Sequence, residues 1–217
     1  MAHLELPLVY LARHGETAWS ISGQHTGLTD LPLTEAGERN AQRLRGRLSG
    51  LKFDRVFTSP LRRAMRTCEL AGFGSVAEID PDLVEWDYGE YEGRRSVEIH
   101  LERPDWQLFR DGAPGGESPQ QVAERADRVV DRLRAVSGNV LIFSSGHFLR
   151  MLAGSWVGIE PYDARSLMLS TASLSILGYE HSLEQSAIRL WNDTHHLLTA
   201  NESDTYKDSL QLTEVTR

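Results

Sequence analysis

Short apolar runs and amphipathic stretches take turns along this chain, and their periods predict strands and helices in alternation. Leu8-Val9-Tyr10-Leu11, set off by Pro7, has the length and composition of a short buried strand. Thr34 reads as the N-cap of a helix running to about Ser49, in which Ala41, Leu44 and Leu48 recur at spacings of three and four and which Gly50 stops. Residues 53–58 predict a second strand, Ser59-Pro60 opens another helix, and residues 75–79 predict a third short strand. Ser118-Pro119-Gln120-Gln121 joins an N-cap serine, a first-turn proline and a capping-box glutamine, and Val122, Ala126, Val129, Val130 and Leu133 then make one apolar face. Residues 139–144 contain the unbroken run Val140-Leu141-Ile142-Phe143, as in a central strand covered on both faces. Phe148 begins a largely apolar helix to about Gly158, and residues 173–179 and 187–192 predict two final strands.

Several segments follow neither period. Residues 20–33 are polar and contain glycines, which predicts a loop rather than a helix. Residues 82–93 mix acids, aromatics and glycines, a composition suited to a loop packed over a site. Residues 94–116 carry Pro104, Trp106, Phe109, Pro114 and Gly115-Gly116 and read as a small helical cap followed by a turn. Exposed aromatics there either meet a substrate or, as is commoner, pin the cap. Residues 201–217 are polar and weakly patterned, so a partly disordered tail is expected after one domain spanning residues 1–200 of the 217.

Charge and composition narrow the partners. Twenty-three basic against 31 acidic residues give a net charge of −8, so the overall field repels anions and argues against a nucleic-acid partner. An anionic substrate therefore needs a local cluster of arginines. Cys68 is the one cysteine, which excludes an intrachain disulfide and a thiolate metal site and fits a small core side chain. No stretch approaches the roughly 20 apolar residues that span a bilayer. Residues 1–7 lack a secretory leader pattern, and the expected location is cytoplasmic with no membrane partner.

The candidate chemistry begins where the first strand ends, at Arg13-His14-Gly15-Glu16. Open α/β sheets bind ligands at strand ends. A neutral imidazole is a nucleophile toward phosphorus, a neighbouring guanidinium forks onto phosphoryl oxygens, and Gly15 leaves room for an anion to approach the backbone. Alone, the pair reads equally as a strand-end histidine satisfied by a carbonyl beside a solvated arginine. Arg62, Arg63 and Arg66 sit in the opening turns of a helix, the end at which a helix dipole disfavours cations, which points to an anionic partner for at least one of them. Arg62 and Arg66, four apart, share a face distinct from that of Arg63. Hydroxyls such as Ser20 and Thr26 and amides near Gly23 and Gly27 are candidates to line an anion pocket, and His25 reads evenly as pocket or turn. Glu85, Asp87, Glu90 and Glu92 are candidate proton donors among which composition does not choose. Ser144-Ser145-Gly146-His147 repeats the strand, glycine turn and helix that present Arg13-His14, marking a second site segment.

Arg13-His14-Gly15-Glu16, Ser59-Pro60-Leu61-Arg62-Arg63-Ala64, Glu85-Trp86-Asp87-Tyr88-Gly89 and Gly146-His147-Phe148-Leu149-Arg150, in this order, resemble the histidine phosphatase superfamily, the branch that includes cofactor-dependent phosphoglycerate mutases. The resemblance covers most of residues 8–195, and segments 85–93 and 106–118 look more like sugar-bisphosphate phosphatases and small bacterial acid phosphatases than like mutases. It implies an α/β fold, a three-layer α/β/α sandwich with a mainly parallel sheet and a cap inserted near residues 86–117. It implies that His14 takes the phosphoryl group, that Arg13 and Arg63 clamp its oxygens, and that Glu85 protonates the leaving oxygen, with no metal or other cofactor. Ser20, Thr26, Gly27, Arg62, Tyr88 and His147 are the expected substrate contacts. The expected function is hydrolysis of phosphomonoesters of small metabolites, sugar phosphates among them. A mutase is the alternative, which needs a larger closing lid; so is a non-catalytic binder of phosphate ligands. A homodimer is the assembly that the resemblance allows.

One position departs from the family pattern, which has a histidine directly before the glycine of the fourth motif where this chain has Ser145. Serine offers only a neutral hydrogen bond to a transferring phosphoryl group, and losing one preorganised donor costs on the order of 10²–10³ in rate. Three explanations fit: a substitution that traps a complex, a weak enzyme, or compensation by His147.

Overall fold

The unbroken apolar run at residues 140–143 lies at the heart of the molecule, and every other element is arranged about it. The computed structural model describes residues 6–198. In chain order these form β1 (Val9–Arg13), α1 (Ala18–Ser22), α2 (Glu35–Leu48), β2 (Arg55–Thr58), α3 (Arg62–Leu70), β3 (Glu78–Ile79), α4 (Ser96–Glu102), α5 (Leu108–Asp111), α6 (Pro119–Arg134), β4 (Val140–Ser144), α7 (Gly146–Val157), β5 (Leu174–Tyr179) and β6 (Ser186–Asp193). The sheet runs β3-β2-β4-β1-β5-β6. Its first four strands are mutually parallel, whereas β5 pairs antiparallel with β1 and β6 antiparallel with β5.

Alternation along the central strands divides the core in two. Val9 and Leu11 of β1 and Val140 and Ile142 of β4 face α6 and α7, whose Val122, Ala126, Val129, Phe148 and Leu152 complete one cluster. Tyr10, Ala12, Leu141 and Phe143 face the other way, against Leu44 and Leu48 of α2 and Cys68 of α3. This is the three-layer α/β/α sandwich. The register sets Arg13 beside Ser144 and Thr58 beside Phe143, so β1, β2 and β4 end together at one edge of the sheet. The residues that follow, His14, Ser59 and Ser145, leave the sheet at that edge.

Several elements differ from expectation. A five-residue helix, α1, interrupts the loop foreseen at residues 20–33: Thr17 caps it, with its hydroxyl accepting from the Ser20 amide while Ser20 Oγ accepts from the Thr17 amide. It is too short to show a 3.6-residue period. α3 starts at Arg62, after Ser59-Pro60 rather than on it, and α7 starts at Gly146 rather than Phe148. Trp106 and Phe109 are both 4% exposed and pin the segment between β3 and α6. Trp106 packs on Tyr91 and donates to the Gly112 carbonyl, and Phe109 packs on Trp86. The tail expected at residues 201–217 lies outside the described residues.

Gly15 serves a purpose other than anion access. A Cβ there would lie 2.5 Å from the Gly37 carbonyl oxygen, and one on Gly37 would lie 2.2 Å from that of Glu16. The backbone leaving β1 therefore crosses the first turn of α2 at a distance that only two glycines permit. Gly37→Ala is expected to lower unfolding free energy by about 1–3 kcal/mol. Gly46→Ala, in the same helix with nothing within 4 Å of its added carbon, is expected to raise it by about 0.5–1 kcal/mol. Urea unfolding of the two variants measures the difference in sign.

Candidate active site

His14 is fixed from both sides of its backbone: its amide donates to the Ser144 carbonyl and its carbonyl accepts from the Ala172 amide, each at 2.9 Å. The side chain is 4% exposed, and Nδ1 lies 2.7 Å from the Gly15 carbonyl oxygen. A carbonyl only accepts, so Nδ1 carries the hydrogen and Nε2 carries the lone pair. Burial and the charges of Arg63 and Arg13 hold the imidazole well below its ordinary pKa, so it is neutral at physiological pH. The Gly15 amide donates to Thr67 Oγ1, which donates in turn to the Arg63 carbonyl, tying the turn after His14 to α3.

Two guanidinium groups flank this histidine without a carboxylate ion-pair partner among the described residues. Arg13 donates through Nη1 to the Leu169 carbonyl, and its buried Nε has no hydrogen-bond partner. It lies flat against the start of α7, where a Cβ on Gly146 would stand 3.0 Å from Arg13 Nε. Arg63 is fully buried and donates to the carbonyls of Thr29, Thr26 and Gly27, again with Nε unpaired. Buried donors are ordinarily satisfied, so two orphaned guanidinium N–H groups beside a neutral histidine mark a place prepared for an anion.

Glu85 lines the same cleft as Arg13 and His14. Ser144 Oγ donates to the Leu83 carbonyl, and Arg125 donates to the carbonyls of Asp82, Val84 and Glu85 while pairing with Glu117 at 2.7 Å. This loop places the Glu85 carboxylate over the first turn of α7, where Oε1 accepts from the Trp86 and Phe148 amides and Oε2 from the His147 amide. Glu85 thus caps the helix, and the N-cap residue Ser145 makes no side-chain cap bond. The four acids that composition could not separate have different surroundings. Glu92 accepts from the Gly27 and Thr29 amides, Asp87 accepts from the Gly89 amide, Glu90 is exposed, and Glu85 lines the cleft.

The cleft has a volume of about 260 Å³. Arg13, His14 and Glu85 share it with Ser20, Thr26, Tyr88, His147 and His25 from the sequence candidates. Tyr88 is buried, and burial with the nearby Glu85 charge pushes its phenol well above its usual pKa; burial and Arg150 hold His147 well below. The phenol, the stronger acid of this neutral pair, donates to His147 Nδ1. His25 packs on Tyr88 with ring centres 4.8 Å apart and the planes tilted by 43°.

Other candidates lie elsewhere. Arg62 is exposed, in a separate groove with Glu38, Arg66 and Glu69, because the three-residue turn between β2 and α3 points Arg63 inward and its neighbour out. Gly27 is buried outside the cleft, its amide taken by Glu92 and its carbonyl by Arg63. Ser145 is fully buried, its Oγ without a partner, and does not line the cleft, whereas His147 does. Arg63 backs the 26–29 loop rather than lining open space. Residues missed by sequence reasoning include Thr17, Trp19, Ser96, Leu169 and Arg150. Only Arg150 had a signal, its place in the fourth motif. Among the described residues no group of three His, Cys, Asp or Glu is arranged to hold a metal ion, and no helix is long and apolar enough to cross a membrane.

Comparison with known proteins gives a consistent picture. The histidine phosphatase superfamily (branch 1) profile matches residues 9–194. The chain is 43% identical over 183 residues to an acid phosphatase of Mycobacterium tuberculosis, covering 82% of this chain and 89% of that one. It is 36% identical over 188 residues to sedoheptulose 1,7-bisphosphatase of Saccharomyces cerevisiae, covering 70% and 68%. Among solved structures, an open reading frame product of Mycobacterium tuberculosis superposes with a TM-score of 0.81 at 39% identity, covering 86% of this chain and 97% of that one.

The buried histidines make stability depend on pH. His14 and His147 are held well below 6.5 and His25 is pushed down to about 4, so between those values and pH 6.5 the unfolded chain binds protons that the folded one does not. Their contribution is complete above about pH 6.5 and is lost as pH falls, at up to about 1.4 kcal/mol per unit for each histidine. Urea unfolding at pH 7 and pH 5 is expected to show the loss, and His25→Gln to reduce it. A flat profile would contradict the burial of these rings.

Proposed function

The chain belongs to the histidine phosphatase superfamily, and on that premise we propose that it hydrolyses phosphomonoesters of small metabolites, sugar phosphates among them, through a phosphohistidine on His14. The observation that carries the reading is the bond from His14 Nδ1–H to the Gly15 carbonyl, because it presents the Nε2 lone pair of a neutral ring.

In the first step Nε2 attacks phosphorus, the P–N bond forms, and the bond to the ester oxygen breaks. Glu85, at the cleft wall, gives a proton to the leaving oxygen and an alcohol departs. In the second step water attacks the same phosphorus, Glu85 takes a proton from it, the P–N bond breaks, and inorganic phosphate leaves a neutral His14. Arg13, at the cleft wall, holds the phosphoryl oxygens through both steps, and Arg63, buried behind the 26–29 loop, adds positive charge beside His14. Ser20, Thr26, Tyr88 and His147 line the same cleft and are the groups we assign to contact the rest of the ester. A cytoplasmic setting is part of the same reading, supported by a single cysteine, Cys68, that is buried and unpaired.

Ser145 sets the expected speed. Its hydroxyl lies in the protein interior, and the donor that the family pattern has there is missing. Hydrolysis of p-nitrophenyl phosphate is expected to be slow, to vanish in His14→Ala, and to rise by about 10²–10³ in Ser145→His. Equal rates for the unmodified chain and Ser145→His would contradict this account of the fourth motif. Tight binding of phosphate esters with no turnover by either would favour a binding protein.

A further inference from the structure

Among the described residues only Ala172 and Asn192 take a positive φ without being glycine, at 54° and 55°. A side chain in that region is a strain that the surrounding structure must hold, and such strain gathers at functional sites. Both residues act on one segment, 168–173, which grips the end of β1. Its Leu169 carbonyl accepts from Arg13 Nη1, its Ser173 carbonyl accepts from the Arg13 amide at 3.1 Å, and its Ala172 amide donates to the His14 carbonyl at 2.9 Å. The segment is held in turn from its other side. Trp191 Nε1 donates to the Met168 carbonyl, Asn192 Oδ1 accepts from the Ser170 amide, and His196 Nε2 lies 2.9 Å from the Ala172 carbonyl oxygen.

The His196 contact bears on the strained residue itself. Ala172 is fully buried, its amide ends on His14 and its carbonyl ends on His196. A carbonyl only accepts, so His196 carries its hydrogen on Nε2. Its Nδ1 is then a buried lone pair with no donor among the described residues. For packing alone an apolar ring of the same size would avoid that cost, so what the histidine adds is the N–H. The turn of residues 195–197 that carries it is anchored on α2: Leu197 packs against the cluster of Leu44 and Leu48, and Arg43 Nη1 donates to the Leu197 carbonyl at 2.6 Å. Building on the reading of His14 as the nucleophile, we infer that His196 is a positioning residue: it holds Ala172 in its left-handed conformation, which fixes the His14 carbonyl and with it the direction of the imidazole. His196 itself does not line the cleft. Displacing a nucleophile by about 1 Å costs on the order of 10² in rate, so a bond this far from phosphorus is enough to matter.

The test separates placement from packing. His196→Phe keeps a ring and removes both the N–H and the unpaired lone pair, whereas His196→Gln returns an N–H at the same reach. His196→Phe is expected to lower kcat for p-nitrophenyl phosphate by about ten-fold or more while KM changes less than about three-fold, and His196→Gln to recover most of the loss. Glycine reaches a φ of 54° unaided, so in an Ala172→Gly background His196→Phe is expected to cost less than about two-fold. A second readout needs no turnover: the His14 Nδ1–H proton, bonded to the Gly15 carbonyl, is followed by ¹⁵N-edited NMR. It is expected to shift or broaden in His196→Phe and to return in His196→Gln. An unchanged kcat and an unchanged His14 proton in His196→Phe would overturn the inference. So would equal losses in the Phe and Gln variants, or the same loss with and without Ala172→Gly, which are the results of a histidine that only packs. If His196→Phe does not fold, His196→Asn, whose amide is too short to reach Ala172, takes its place in every comparison. A His14 proton that moves as expected in a chain that hydrolyses nothing would refute the phosphatase reading and leave the positioning role standing.

Discussion

The structure depends on positive charge held out of water with no carboxylate paired directly to it among the described residues. Arg13 and Arg63 lie beside His14 with Nε–H groups that no atom of the described residues accepts, and Arg150 lines the cleft with Arg13. Their carbonyl contacts orient them, and the one Glu85 carboxylate in the same cleft offsets only part of their charge. Such an arrangement costs stability in the empty protein and is recovered when an anion enters. It also bears on how a chain with a net charge of −8 can receive a phosphate ester, because Arg13 and Arg150 line the cleft against the single acid Glu85. Burial and then the same positive charges lower the pKa of His14, so the arginines that receive the substrate also help to keep the nucleophile neutral.

Geometry at the sheet edge makes that cluster possible. Parallel pairing of β1 with β4 places Arg13 next to Ser144, and the glycine after each strand admits a neighbour that a side chain would exclude. Gly15 admits the backbone of α2, and Gly146 admits the Arg13 guanidinium. Glu85 reaches the same edge from a loop that Arg125 holds by three carbonyls, and its carboxylate both caps α7 and faces the cleft. Helix start and reactive site are therefore mechanically one unit, with a favourable charge at a helix N-terminus.

Much of this was legible in the chain itself, where local physics and tertiary structure agree. The stripes Ala41-Leu44-Leu48 and Val122-Ala126-Val129-Val130-Leu133 are buried as their spacing requires, and Thr34 and Ser118 cap the helices they precede. Helical periodicity separated the face of Arg63 from that of Arg62 and Arg66, but not which of the two turns inward. Legibility ended where a residue's meaning depends on a partner distant in sequence. The role of Gly15 is set by Gly37, that of Gly27 by Glu92 and Arg63, and the exclusion of Ser145 from the cleft by the way α7 begins. Ser96 and Leu169 reach the cleft from segments with no chemical pattern, and nothing in their surroundings along the chain announces it.

The central claim is that His14 carries the phosphoryl group between substrate and water. Rapid mixing with a ³²P-labelled phosphomonoester, an alkaline quench that preserves phosphohistidine, and peptide mapping test it directly. The account predicts label on the peptide containing His14, appearing before inorganic phosphate and decaying as phosphate is released. Release of labelled phosphate with no label on that peptide at any time would contradict it.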